Sequence, residues 1–539
     1  MIPDQIVEGP LTMSMDPYIG TWTKQEAAHL LRRTTFGPTF QQIQSAVNSG
    51  MDAAVNALLQ INATSLPISY DPAETISAIG STWINSVYPA DAASSQAHET
   101  ARVKSLGAWL MKRMNTENST IAEKMCLFWQ NHFAATLAPD ARASYQYHLL
   151  IRNHSLGNFK QFVKDMTVDP TMLIFLNGAS NNVYSPNENY AREILELFTI
   201  GKGPQIGPGD YTNYTESDVA AGAKIFTGYI VEGLRSTTLT SPVSTYYDIL
   251  HDQTTKQLSS HFGNQSISAG GASEYVNYID VIFQQNQVAT YICTKLYRYF
   301  VNYDLTLDVQ TNIIPVMAQT MIDNNYEILP VMQQLLKSQH FYDIAFQGAL
   351  IRNPLEVVFG MFNPCESVPN FNLATNSDMY VTIYYYCQTM GQSYGAPPSV
   401  AGWVAYYQAP SFSKLWVNST TIKNRFDIAN YITLYTGIPV NGSNFKVNAL
   451  QLIDGLSFPD NAIAVIDDMC IVFFPKAISA AQKTLLKFIL TGGLPDFEWT
   501  IDYNAYAADP TNPVVSSPVR IKVEQVLSRI FQMPEFQTI

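Results

Sequence analysis

Charge is what this chain has least of. Asp, Glu, Lys and Arg make up 14% of its 539 residues, well under the roughly 25% of an average soluble domain. Apolar residues make up 47%, a balance that excludes disorder on a large scale, which needs low hydrophobicity and high charge. The polar work falls instead to 31 Tyr and to Asn, Gln, Ser and Thr. Bases are scarcer than acids: 31 Lys and Arg against 44 Asp and Glu give a net charge of -13. With no basic stripe to overcome that, a phosphate backbone is repelled and nucleic acid is excluded as a partner. Long apolar runs are missing too; stretches such as Met469 to Phe474 fall far short of the roughly 18 residues of a membrane helix.

Cysteine is rare and unpatterned. Cys126, Cys293, Cys365, Cys387 and Cys470 are odd in number and form no CxxC, so neither a zinc knuckle nor a disulfide framework is signalled, and they read as small core residues. There is no G-x-S-x-G, no H-E-x-x-H, no C-x-x-C-H and no P-loop or Rossmann glycine spacing. These absences remove the local support for a serine hydrolase, a zinc protease, a c-type haem protein or a nucleotide-binding fold. The first 22 residues carry Asp4, Glu8 and Asp16 but no Lys, Arg or apolar core. They do not read as a secretory signal, so the location is cytoplasmic by default, and extracytoplasmic or secreted if a leader has been removed.

What the chain does have is helical periodicity. Apolar residues recur at i, i+3, i+4 and i+7 over 23 to 37, 40 to 60, 101 to 115 and 121 to 136, which predicts helices there. A Thr-, Val- and Tyr-rich stretch over 237 to 252 reads as a strand or hairpin. The expected fold is therefore mainly α: a large multi-helix globular protein with a small β-hairpin or strand insertion. Breaker clusters at 201 to 214, 362 to 372, 436 to 448 and 506 to 519 suggest loops or boundaries. The expected organisation is an N-terminal arm over 1–22, a helical domain over 23–350, and a C-terminal helical domain over 351–539 packed on it.

"SPNENYAREILELFTIG" at 185 to 201 concentrates polar chemistry. Ser185 and Glu188 have capping-box spacing, Pro186 suits the first helical position and Gly201 suits the C-terminal end, which predicts a helix over about 186 to 200. Its apolar face would carry Tyr190, Ala191, Ile194, Leu195, Leu197 and Phe198. Glu188, Arg192 and Glu196 would fall in one i, i+4 ladder. A capped amphipathic helix with a solvated stripe accounts for most of this. The functional alternative has Arg192 orienting Glu193 or Glu196 as base or metal ligand, with Asn189 touching substrate.

Several segments taken together resemble one bacterial family, domain of unknown function 1800. They are "EAAHLLRRTTFGPT", "EKMCLFWQNHFAAT", "SPNENYAREILELFTIG", "YTESDVAAGAKIFTGY", the His251–Asp252 pair, "KLYRYFV", "RNPLEVV", "YGAPPSVAGW" and "WVNSTTIKNR", in an order and spacing that fit from about residue 22 to the end. The resemblance implies a large helical protein, often exported and frequently encoded beside a secreted family that resembles alkaline phosphatases and sulfatases. This sequence departs from it in lacking the usual export leader.

Other residues carry candidate chemistry. His132 shares a helical sector with Met125, Phe128 and Trp129, which predicts a buried imidazole in need of a partner: a structural hydrogen bond, or a neutral His ready for a proton or a metal. His251 and Asp252 follow the strand-like stretch, a position suited to loop chemistry or to a simple turn. Trp403, Trp416 and Asn418 could line a carbohydrate or peptide groove or close the core. Any divalent metal would need carboxylates and one or two histidines from distant helices.

Two readings follow. One is a metal-assisted or acid–base hydrolase acting on a polymer or its fragments, with His132, Arg192, Glu193, Glu196, His251 and Asp252 as catalytic candidates and Asn189, Trp403, Trp416 and Asn418 as substrate contacts. The other is a non-catalytic binding or assembly protein, partner to a phosphatase- or sulfatase-like protein, its uncharged Tyr- and Asn-rich surface suited to hydrogen-bonded interfaces. Substrate, oligomeric state and metal identity are not legible.

Overall fold

The computed structural model describes residues 12–539. Helices make up 56% of the chain and, among the described residues, strands form only two-stranded antiparallel pairs, so the fold is mainly α, as the periodicity predicts. Among the described residues no helix is long and apolar enough to cross a membrane. Residues 1–11 of the expected arm lie outside the described residues; beyond them Thr12 N–H donates to Asp343 and Pro17 bridges Ser338.

The helices that position the site begin where side chains satisfy their first free N–H groups. α1 (Lys24–Thr34) opens on a Thr23–Glu26 capping box. The periodic stretch 40 to 60, expected as one helix, is two (Phe40–Ser49 and Met51–Leu58), broken at Gly50. α2 (Ala92–Thr116) is capped by Asp91, and α3 (Ala122–His132) ends at His132, short of the expected 136. Next come α4 (Asn189–Glu193), continued by a π-helical turn over Ile194–Thr199, and α5 (Glu216–Ile225). The strand-like stretch is present as a hairpin: β1 (Tyr229–Glu232) pairs antiparallel with β2 (Val243–Tyr246).

The remaining helices used below are α6 (Glu274–Ile282), α7 (Gln287–Phe300), α8 (Pro354–Phe362), α9 (Leu373–Thr389), α10 (Ser419–Thr433) and α11 (Pro513–Gln532). α2 packs along α9, and α10 along α11. One continuous apolar core runs from Met15 to Phe536, and all five cysteines are buried and unpaired within the fold.

The capping box expected at Ser185–Glu188 does not form. Asparagines claim that backbone first: Asn182 Oδ1 accepts from Ser185 N–H (3.2 Å), Asn181 Oδ1 from Asn187 N–H (2.8 Å) and Asn187 Oδ1 from Asn189 N–H (2.9 Å). Local Asx turns of this kind compete directly with helix. The helix therefore starts three residues late, at Asn189. The same grammar is realised elsewhere, where Asn353 and Glu356 cap α8 reciprocally with Pro354 at its first position.

Candidate functional site

The polar residues singled out in sequence occupy three separate places. The first is the α4 stripe. Tyr190, Ala191, Ile194, Leu195 and Phe198 are buried as expected, which contributes about 1.5–3 kcal/mol for each large side chain. Opposite them, Arg192 forms the expected pair with Glu188 (3.0 Å), but its second partner is Glu216 of α5, gripped by both Nη atoms at 2.8 and 2.7 Å. Glu196 leaves the ladder, because the π-helical turn rotates it toward Lys202 (3.2 Å) and the Tyr214 hydroxyl (2.9 Å). Partial burial and the neighbouring Glu196 raise the Glu193 carboxyl above its usual range. Asn189 is exposed.

The second place is the loop after β2. His251 stands between two acceptors, the Thr227 carbonyl (2.9 Å at Nδ1) and Glu274 Oε2 of α6 (2.9 Å at Nε2), and its imidazolium form donates to both. Glu274 Oε1 binds Lys256 at 2.6 Å. Asp252 takes the Thr254 N–H (2.8 Å) and faces Lys256 at 3.6 Å. Burial presses the His251 imidazole down, but Glu274 and the Thr227 carbonyl outweigh it, and the net shift is upward. This is a closed network of two carboxylates, a lysine and a histidine.

The third place is a cavity with about 90 Å³ free for water-sized groups, between α3, α7, α8 and the 400–416 segment. His132 lines it. Its Nε2 sits 3.0 Å from the Phe198 carbonyl, which can only accept, so Nε2 carries the hydrogen and Nδ1 is left bare. Burial, then Lys295, hold this imidazole well below its usual value, so it is neutral. Lys295 Nζ donates to that bare Nδ1 (3.1 Å) and to the Leu197 carbonyl (3.0 Å). Both carbonyls belong to the π-helical turn. The segment with the densest polar side chains thus serves the cavity through its backbone, the orphan acceptors of a helix end.

Lys295 and Arg298, one turn apart on α7, both line the cavity, with Arg33 from the end of α1. Burial, then Arg298, lower the Lys295 ammonium to about 7. Glu356 is the one carboxylate side chain among the lining residues, and it is already ion-paired to Lys124 of α3. Behind it stand Arg32, Arg352 and Arg425, buried like Arg33 and Lys124. Five buried cations therefore surround one carboxylate. Burial presses Arg32 to about 9 and Arg33, Arg352 and Arg425 to about 10, values at which each is still charged at neutral pH.

These guanidinium groups are held largely by carbonyls. Arg32 donates to Ile471 O, Arg33 to Phe346 O, and Arg352 to Thr538 O and Phe473 O. Nε and Nη1 of Arg33, Nε and Nη2 of Arg32, Nε of Arg298 and Nε1 of Trp416 find no acceptor among the described residues. Trp416 lines the cavity with its edge on Tyr406 (5.5 Å). Trp403 is buried, its N–H held 2.9 Å from Asn131 Oδ1. That approach needs Gly402, whose φ is +83° and where a Cβ would lie 2.6 Å from the Asn131 carbonyl oxygen. Asn418 caps α10 through Thr420 and Thr421 N–H.

The structure thus brings His132 and Trp416 to one cavity and leaves Asn189, Arg192, Glu193, Glu196, His251, Asp252, Trp403 and Asn418 elsewhere. Among the described residues no group of three or more His, Cys, Asp or Glu is arranged to hold a metal ion. Sequence reasoning passed over Arg32, Arg33, Lys124, Lys295, Arg298, Arg352, Glu356 and Arg425. The signal was present: all eight lie inside the segments "LLRR", "EKMC", "KLYR", "RNPLE" and "IKNR", where a charge interrupts an apolar face in a chain poor in charge. Neither a curated protein nor a solved structure matches the chain. The model of one family, described as protein of unknown function (DUF1800), matches residues 29–538, and the chain belongs to that family.

Proposed function

We propose that the protein works by binding a small anionic molecule, or the anionic end of a larger one, in the cavity between α3, α7 and α8. The observation that carries this reading is the charge imbalance: Arg33, Lys295 and Arg298 line the cavity, and the single lining carboxylate side chain is already paired. Taking a cation out of water costs several kcal/mol unless a counter-charge meets it. Guanidinium N–H groups left without acceptors are the donors that grip carboxylate, phosphate and sulfate. Ile539 also borders the cavity, its backbone oxygen accepting from Leu350 N–H.

Size argues in the same direction. About 90 Å³ of the cavity is free for water-sized groups, which suits a small anion or the end of a larger molecule and does not suit a long polymer groove. An acid–base hydrolase at this cavity would run through His132 and Lys295, which touch at 3.1 Å. Partnership with a phosphatase- or sulfatase-like protein fits the same chemistry, since such enzymes bind and release oxyanions.

Calorimetric titration with phosphate, sulfate and chloride at low ionic strength tests the proposal. One oxyanion should bind per chain. Arg33→Gln should weaken it about tenfold or more, the value of a charge-assisted hydrogen bond. Affinity no greater than for chloride, or no loss in Arg33→Gln, would refute it.

A further inference from the structure

We propose that Lys295 is a covalent site, its amine condensing with the carbonyl of an anionic carbonyl compound, a 2-oxo acid or a phosphorylated aldehyde, to form an imine. The proposal rests on the anion-binding reading above. Its geometry begins with the two groups that Nζ touches. Leu197 O (3.0 Å) is an acceptor, and so is His132 Nδ1 (3.1 Å), because the Phe198 carbonyl fixes the imidazole hydrogen on Nε2. Two acceptors are what a neutral amine needs. Its two N–H bonds are used and its lone pair remains on a side chain that lines the cavity.

The groups facing Nζ decide its charge. No carboxylate is hydrogen-bonded to it. Arg298 lies on the same helix, Arg33 lines the same cavity, and His132 is neutral. The two acceptors and the Tyr291 ring, 4.6 Å away, lend the ammonium form support, of which the partly exposed cation–π contact supplies roughly 0.5–1 kcal/mol. Burial and Arg298 outweigh it and bring the group to about 7. A lysine desolvated beside another cation is a nucleophile at neutral pH.

The step balances without a redox partner. The nitrogen lone pair forms the C–N bond while the carbonyl π pair moves to oxygen. One N–H proton passes to that oxygen, giving a carbinolamine; the hydroxyl then leaves with the second N–H proton as water, and C=N remains. Arg33 and Arg298 would hold the compound's carboxylate or phosphate.

Full-length protein at pH 7.5 is incubated separately with pyruvate, glyceraldehyde 3-phosphate and acetone, reduced with sodium borohydride and mapped by peptide mass spectrometry. The expected result is a reduced adduct on Lys295 with pyruvate or the phosphorylated aldehyde, labelled about tenfold or more above the exposed Lys423, given the larger share of free amine. Excess sulfate should suppress it and acetone should not give it. Lys295→Arg and Lys295→Met should both lose the adduct. Normal sulfate binding without an adduct on Lys295, or labelling spread over exposed lysines, or equal labelling by acetone, overturns the imine proposal alone. Loss of sulfate binding as well overturns both readings.

Discussion

Two buried charge networks sit in this molecule, one balanced and one not. Around His251, Glu274 and Asp252 face Lys256 and the imidazole, and every charge has an opposite neighbour. Around Glu356, five cations crowd one carboxylate and a cavity adjoins them. A balanced network is what a fold uses to pin a loop, here the 251–257 segment against α6. An unbalanced one carries an electrostatic cost that a bound anion would offset. Histidine and aspartate in sequence drew attention to the first; function is argued from the second.

The comparison can be broken most directly by removing each central carboxylate. Glu274→Gln and Glu356→Gln should each cost about 3–5 kcal/mol, because each strands buried cations. Urea unfolding with and without sulfate separates them: sulfate should restore part of the loss in Glu356→Gln and none in Glu274→Gln. Equal rescue in both would erase the distinction.

pH should move the two regions in opposite senses. Lys295 titrates near 7 in the folded protein and near 10.4 unfolded, so the unfolded chain holds more protons between those values. Stability should therefore rise with pH across that window, by about 2 kcal/mol after allowing for the solvent that reaches the cavity, and Lys295→Met should flatten it. His251 is shifted upward, so its contribution is present below about 6.5 and lost as pH rises through its folded value. His251→Gln should remove that fall.

Arg33→Gln sharpens the imbalance argument with a gain. Without added anion it should stabilise the fold by about 1–2 kcal/mol, since it removes an uncompensated buried charge, and the thermal shift produced by sulfate should shrink. Smallest of all, Glu188→Gln breaks a surface pair with Arg192, which keeps its two-pronged grip on Glu216. The cost should stay below about 0.5 kcal/mol, with sulfate binding unchanged by calorimetry.

Much of the fold was legible in the sequence. The helix expected over 23 to 37 is present as Lys24–Thr34, the one expected over 101 to 115 is the later part of the longer Ala92–Thr116, and the 237 to 252 stretch supplies a hairpin strand. His132 was legible as a buried imidazole with a hydrogen-bond partner. The site was much less so, because side-chain identity in "NENYAREILE" suggested a stripe of catalytic carboxylates, whereas its contribution to the cavity is two backbone carbonyls freed at a π-helical turn. A single sequence carries no sign of which carbonyl a turn will release. The cations were visible as residues but not as a group, since Arg33, Lys124, Lys295, Arg352 and Arg425 come from five helices or helix starts spread along most of the chain.

By itself the sequence determined the helical class, the apolar faces and most of the caps, because these depend on interactions within a few residues along the chain. Only the tertiary structure decided which charges would share a dry space. That outcome depends on how α1, α3, α7 and α8 pack, and Coulomb interactions count through space, not along the chain. Packing placed Glu356 against Lys124, left the guanidinium groups of Arg32 and Arg33 short of acceptors, and set Lys295 between a neutral imidazole and a carbonyl.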